Sequence, residues 1–155
     1  MNNLAALRLI YPSSGTIPIL IGGSSANSVD ATSQGSVVAG GGTASIGAGS
    51  IYGAILGGRG NAIADGVTYG GIVSGDRNKL GATGIASSYG FIGGGLKNTV
   101  SGTHTVLTGG NENVITNSDF AAIVTGDNNF IGSAANGSFI GTTSTNSLSL
   151  SVNNL

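Results

Sequence analysis

The chain has no cysteine and no tryptophan, only two prolines, and charged side chains at 7 %, where soluble domains ordinarily carry about 25 %. Without cysteine there is no disulfide, no thiolate nucleophile and no thiolate metal ligand, so stability has to come from packing and backbone hydrogen bonds. Lys and Arg total five against six Asp and Glu, which leaves neither a basic stripe for phosphates nor an acidic tail and speaks against nucleic-acid binding. Aromatics at 5 % are too few to fill a compact globular core. No apolar run approaches the roughly 18 residues of a membrane span. Residues 1–11 lack a basic start and are interrupted by Arg8, so they are not read as a secretory leader; the chain is expected to be synthesised in the cytoplasm and to insert in no membrane.

What the chain has instead is glycine, 30 residues of 155, and a twelve-residue cassette that recurs five times. Each copy places a ring first, an aliphatic three residues later, Gly at six, Asn at nine and a second aliphatic at eleven. The copies are Tyr52, Ile55, Gly58, Asn61, Ile63; Tyr69, Ile72, Gly75, Asn78, Leu80; and Tyr89, Ile92, Gly95, Asn98, Val100. His104, Leu107, Gly110, Asn113, Ile115 and Phe120, Ile123, Gly126, Asn129, Ile131 complete the set. Only the stretches between copies change length, to five, eight, three and four residues. Rigid cassettes on elastic loops mean stacked, similar units, and a period of 15 to 20 residues suits one turn of a β-solenoid and not a helix pair. Weaker copies flank the array: Val37 and Gly40 fit if Gln34 takes the first position, and Phe139 with Ile140 echoes the aliphatic pair.

Within a cassette, an aliphatic pair runs into Gly, two small or polar residues follow, and then come Asn and a second aliphatic. That order predicts strand, tight turn, strand and a variable outer loop. A helix is excluded because each interior Gly costs roughly 1 kcal/mol against Ala and no 3.6-residue stripe survives the glycines. A disordered linker has no reason to keep Ile at fixed offsets. The fold class expected is therefore an all-β parallel β-roll or solenoid of six or seven short coils, a rod of roughly 30 Å at about 4.8 Å per coil.

Such a coil has a narrow inside, filled by the two aliphatic columns, while Leu56, Val73, Phe91, Val106 and Val124 point the other way because strand side chains alternate. Three chains packing those outer rows about a threefold axis would cover them and support a rod too slender to stand alone. A homotrimer is expected.

The Asn column (Asn61, Asn78, Asn98, Asn113, Asn129) reads as an amide ladder between coils, beside a turn whose left-handed backbone Asn tolerates; the Gly column needs only a positive φ. The ring column (Tyr52, Tyr69, Tyr89, His104, Phe120) stacks along one edge. It either staples neighbouring coils or the trimer seam, or offers a platform for carbohydrate rings; interchange of Tyr, His and Phe suits packing better than precise recognition. His104 is the only histidine and could ring a metal only across a trimer axis. Asp76 and Asp127 share a cassette position and read as solvated turn carboxylates. Asp65, Glu112 and Asp119 are scattered, so no carboxylate pair for glycoside hydrolysis is suggested. No enzyme, metal site or cofactor is expected. Thr108, Thr125 and Thr142 begin a Thr array of ice-binding type that Gly57, Ser74 and Gly93 do not continue.

Residues 1–33 differ in texture, with Pro18 inside the apolar run 17–21, and are read as a cap and attachment segment on an edge strand. The solenoid is assigned to 34–132. Residues 133–155 are read as a degenerate last coil and a closing strand in which Leu148, Leu150 and Val152 alternate with polar residues.

The repeats, typified by Ile92-Gly93-Gly94-Gly95-Leu96-Lys97-Asn98-Thr99-Val100, resemble the head repeats of YadA-like trimeric adhesins and related bacteriophage tail-fibre proteins over roughly residues 34–145. The resemblance implies a left-handed parallel β-roll, trimeric, with outer loops displayed for surface attachment. A trimeric autotransporter carries a signal peptide and a membrane anchor, neither of which is read here, so the phage branch is expected: a short fibre of the virion tail or baseplate, mounted on other tail proteins through residues 1–33. Host-surface adhesion to a polysaccharide would then run through the loops 81–88 and 132–138 or the tip. A purely architectural virion protein and a fragment of a bacterial adhesin head are the alternatives.

Overall fold

A computed structural model of the chain describes residues 7–12, 17–85 and 87–148. These residues form seventeen strands, numbered here in chain order, and no helix. Strand β1 (Leu7–Ile10) precedes a regular alternation between two sheets. One sheet contains β2 (Ile19–Gly22), β4 (Val37–Val38), β6 (Ala54–Ile55), β8 (Gly71–Ile72), β10 (Phe91–Ile92), β12 (Val106–Leu107), β14 (Ala122–Asp127) and β16 (Phe139–Ser144). The other contains β3 (Ser28–Val29), β5 (Ser45–Ile46), β7 (Ala62–Ile63), β9 (Lys79–Leu80), β11 (Thr99–Val100), β13 (Val114–Ile115), β15 (Phe130–Ile131) and β17 (Ser147–Leu148). All pairings after β1 are parallel and join a strand to its equivalent one turn away. The chain is therefore an all-β parallel solenoid of about seven turns, with eight rungs spanning about 34 Å.

Each two-residue strand contributes one inward side chain, and the longer β2 contributes two, Ile19 and Ile21. The ten aliphatics of the cassette, from Ile55 and Ile63 to Ile123 and Ile131, are all exposed by 2 % or less. They meet between the sheets in one continuous core with Ile21, Val38 and Ile46. Coil length varies by 17, 20, 15, 16 and 17 residues between successive members of the Asn column. The difference is absorbed in the connection from the second sheet back to the first. The longest connection carries a local bridge between Ala82 and Ile85.

Three expectations change at the ends. The weak coil is in register from Gly35 through Val38 to Gly41, not from Gln34 through Val37 to Gly40, because Val38 pairs with Ile55 and Gln34 with Ile51. The solenoid begins before residue 34: β2 and β3 stack in parallel on β4 and β5, so part of the segment 1–33 is the first rung. Pro18 precedes β2, which is an interior strand lying between β1 and β4, not an edge. The edge belongs to β1, which pairs antiparallel with β2 from Leu7↔Gly22 to Ile10↔Ile19. Leu150 and Val152 lie outside the described residues.

The corners are where the backbone changes hand. Within the sheets each N–H donates toward the next rung, as from Val37 to the Gly53 carbonyl. At two positions per coil it donates back to the previous rung, as from Tyr52 to Gln34 and from Arg77 to Arg59. Those residues are left-handed, with φ of 56° at Tyr52, Tyr69, Tyr89, Arg77 and His104, a conformation that costs an L-residue about 1–2 kcal/mol. The Asn column itself is not left-handed; the residue before it is, as at Arg77, Lys97, Glu112 and Asn128. The Gly column needs more than its φ. At Gly58, Gly75, Gly95 and Gly110 φ is 88°, 99°, 92° and 101°, and a Cβ would stand 2.1–2.3 Å from the carbonyl oxygen of the matching Gly one rung on.

Gly95→Ala is therefore expected to destabilise by more than about 2 kcal/mol. Gly57→Ala, where a Cβ meets nothing within 4 Å, should change stability by less than about 0.5 kcal/mol. Chemical denaturation of the two variants in parallel tests the pair; equal losses would contradict the close-approach argument.

Candidate functional site

The Asn column lies inside the tight-turn edge, at 0–1 % exposure from Asn61 to Asn129. Buried carboxamides must be satisfied, and here the backbone does it. Asn61 Nδ2 donates to the Gly57 carbonyl of its own turn at 2.9 Å and to Gly75 of the next at 3.1 Å, and its Oδ1 accepts the Asn78 N–H at 3.0 Å. From Asn78 to Asn129 the side chains also bond one another: the Nδ2 atoms of Asn98, Asn113 and Asn129 donate to the preceding Asn Oδ1 at 3.0, 3.1 and 2.9 Å. Asn27 and Asn146 continue the column. They escape a search anchored on the ring position, which is Pro18 and Gly137 in those rungs, and alignment on Ile21 and Ile140 finds them. Ala44 interrupts the column, its N–H bonded to Asn27 Oδ1.

The ring column forms a continuous stack on the opposite edge. Centroids are 5.2, 5.0, 4.7 and 5.0 Å apart from Tyr52 to Phe120, with interplanar angles of 23°, 8°, 10° and 4°. That separation is close to the rung spacing of about 4.8 Å, so the ladder sets the distance and the rings face one another. Between the two terminal rings every face is occupied by a neighbour, and there solvent reaches only the edges. A sugar stacks on a face, not an edge, so the column cannot act along its length as a carbohydrate platform. His104 is held between Tyr89 and Phe120.

Charge is concentrated on the tight-turn ridge. Arg59 Nη2 lies 2.5 Å from Asp76 Oδ2, Lys97 Nζ lies 2.8 Å from Glu112 Oε1, and Asn111 Nδ2 donates to Asp127 Oδ1 at 2.6 Å. Each pair links adjacent rungs along the axis and is solvent-exposed, so each contributes little. The hydrogen bond from Arg59, with its charge, holds the Asp76 carboxyl below the ordinary aspartate value, and Thr32 does the same for Asp30. No group of three His, Cys, Asp or Glu able to hold a metal occurs among the described residues.

The two broad faces differ sharply. Flanking the inner aliphatics of the first sheet, the outward positions carry no charge and a single hydroxyl, Thr108. Leu56, Val73, Phe91, Val106, Val124 and Phe139 there are 36–65 % exposed. They occupy two columns: Phe91, Val106 and Phe139 precede the inner residue, Leu56, Val73 and Val124 follow it. Thr108 is likewise level with Val124 and not with Thr125, since Leu107 pairs with Ile123, so Thr108, Thr125 and Thr142 are not one array. The second sheet is mixed, presenting Ser28, Ser45, Lys79 and Thr99 among Ala62, Val114 and the exposed Phe130. A shallow groove of about 780 Å³ crosses that face between Asp30, Asp65, Lys79 and Thr83. Of the outer loops, 81–88 overhangs this groove at Thr83, and 132–138 carries the buried Ala135 and the turn Asn136-Gly137.

Asn98→Ala should cost at least about 3 kcal/mol, because it strands the Gly94 and Gly110 carbonyls and the Asn113 N–H in the interior. Ala44→Asn, which fills the gap in the ladder, should add about 1 kcal/mol; both are read from denaturant midpoints. Asp76 and Asp30 have folded-state pKa values below their unfolded ones, so their contribution is complete above about pH 4 and is lost as pH falls through the folded values. Arg59→Gln should flatten that acid limb; an unchanged limb would remove the ion pair from the account. Comparison with protein-family models, curated proteins and solved structures gives no match.

Proposed function

We propose that this chain is a non-catalytic, trimeric fibre module of a phage tail or baseplate, contributing to host-surface attachment through a glycan. The observation that carries this reading is the charge-free apolar face of the first sheet. It runs the length of a slab whose interior holds one aliphatic per strand, and an apolar face that long on a soluble protein marks an interaction surface. Copies of the same chain are the simplest cover, since a rod this thin gains the core it lacks. Three copies follow from the resemblance of the repeats to trimeric adhesin heads and tail fibres.

The remaining surface is suited to display. Its loops leave the rod between the second sheet and the ring edge, away from the apolar face, and vary in length without disturbing the rungs. Strand β1 covers the first sheet at one end, and residues 1–33 would supply the mount on neighbouring tail proteins. Virion location belongs to this same proposal.

Light scattering is expected to give three times the 14.9 kDa chain mass, and Val106→Glu, at the centre of the apolar face, should lower it to that of one chain. A wild-type monomer would dismiss the assembly. Binding of the purified protein to arrayed bacterial surface polysaccharides tests attachment; silence across the array with unimpaired particle assembly would assign an architectural role.

A further inference from the structure

The ring stack has unlike ends. Before Tyr52, the same rung position is Gly35, and a Cβ there would lie 2.8 Å from Tyr52 Cδ1 and 3.0 Å from Ile17 Cγ2, so that end is closed. Beyond Phe120 the position is Gly137. Its N–H donates back to the Asp119 carbonyl at 2.9 Å, as Phe120 donates to Thr103, and its φ is 73°. Among the described residues, a Cβ on Gly137 would meet nothing within 4 Å. Phe120, covered on one face by His104 at 5.0 Å, is the most exposed ring of the column at 66 %. The stack therefore stops one ring short of the last rung, with a bare aromatic face over the gap.

We propose that this gap is a saccharide subsite, in which a neutral pyranose of galactose type lays its apolar face on Phe120 and hydrogen-bonds to Asn136. Sugar C–H bonds carry partial positive charge and suit the negative face of an aromatic ring. Rim chemistry supplies the rest. Asp119 and Asn136 immediately precede Phe120 and Gly137 in the two rungs that bound the gap. Asp119 Oδ1 is fixed by the Thr103 N–H at 2.7 Å, and Asn136 Oδ1 by the Asp119 N–H at 2.8 Å. Asn136 Nδ2 is left as a donor for a sugar hydroxyl, while the Asp119 carboxylate reaches back to Thr103 in the preceding rung. That carboxylate, one rung from the gap, disfavours an acidic sugar, and an aromatic side chain from another protein would leave the Asn136 donor unused.

This subsite rests on the attachment reading and supplies its ligand class, so the experiment has two arms. Methyl β-D-galactopyranoside is titrated into isotope-labelled protein, following the amides of Gly137 and Asn136, while the same protein is applied to the polysaccharide array. Phe120→Ala should weaken the sugar at least tenfold. Gly137→Tyr places a sixth ring in the gap, at a left-handed φ that Tyr52, Tyr69 and Tyr89 already hold, and should abolish binding with the melting temperature kept or raised. Tyr52→Ala, at the closed end, should leave the affinity unchanged. Full affinity in Gly137→Tyr, or tighter binding of N-acetylneuraminic acid than of the galactoside, overturns the subsite. Array binding with no galactoside shift at Gly137 overturns the subsite alone; an array silent to the wild type overturns the attachment reading as well.

Discussion

The structure depends on the axial hydrogen bonding of one rung to the next. Parallel pairing fixes successive coils about 4.8 Å apart and places residue on residue, so whatever one coil carries at a position is repeated directly above it. Identical side chains are then forced into contact, and the sequence keeps only those that tolerate their own copies. Asn does, since its carboxamide offers a donor upward and an acceptor downward. Flat rings do, at a separation close to their stacking distance. Gly does where backbone meets backbone, and aliphatics do in the core. Charges are less tolerant: along the turn ridge Arg59 meets Asp76 and Lys97 meets Glu112 in neighbouring rungs, and where Arg77 and Lys97 follow one another Asp76 lies close to both.

The same constraint explains how the sequence could be read. Fixed offsets between aliphatic, Gly and Asn are visible in the chain because every rung must meet its neighbours in register, and the ten inner aliphatics lie where the spacing puts them. Register failed at the weak coils for a physical reason: Pro18, Gly35 and Gly137 stand in place of rings, so anchoring on the most conspicuous side chain slid the alignment by one residue at Gln34 and hid Asn27 and Asn146. The left-handed backbone of Tyr52, Tyr69, Tyr89, His104 and Phe120 was illegible because large side chains rarely adopt it. Only the reversal of hydrogen-bond direction at the corner, a property of the stacked coil and not of one segment, makes it necessary. The apolar face was legible in part, since outward residues lie on either side of each inner one, and a single row cannot represent them.

For the functional surfaces, the division of labour follows from cross-section. Tight turns along one edge leave no space for variation and carry paired charges and buried amides. The return connection on the other edge absorbs the whole variation of coil length, from 15 to 20 residues, and carries the rings and loops. One broad face is free of charge and the other is mixed, with Lys79 and Phe130 both exposed on it, so the two sides of the slab differ in chemistry.

The antiparallel strand β1 gives this periodic object a beginning. A parallel stack with both ends bare would accept further identical layers from other molecules, as amyloid does; β1 runs against the grain and terminates the first sheet on that side. Growth by gene duplication within the array would thicken the middle of the rod. Each added cassette would lengthen it by one layer and leave β1 as the edge of the first sheet.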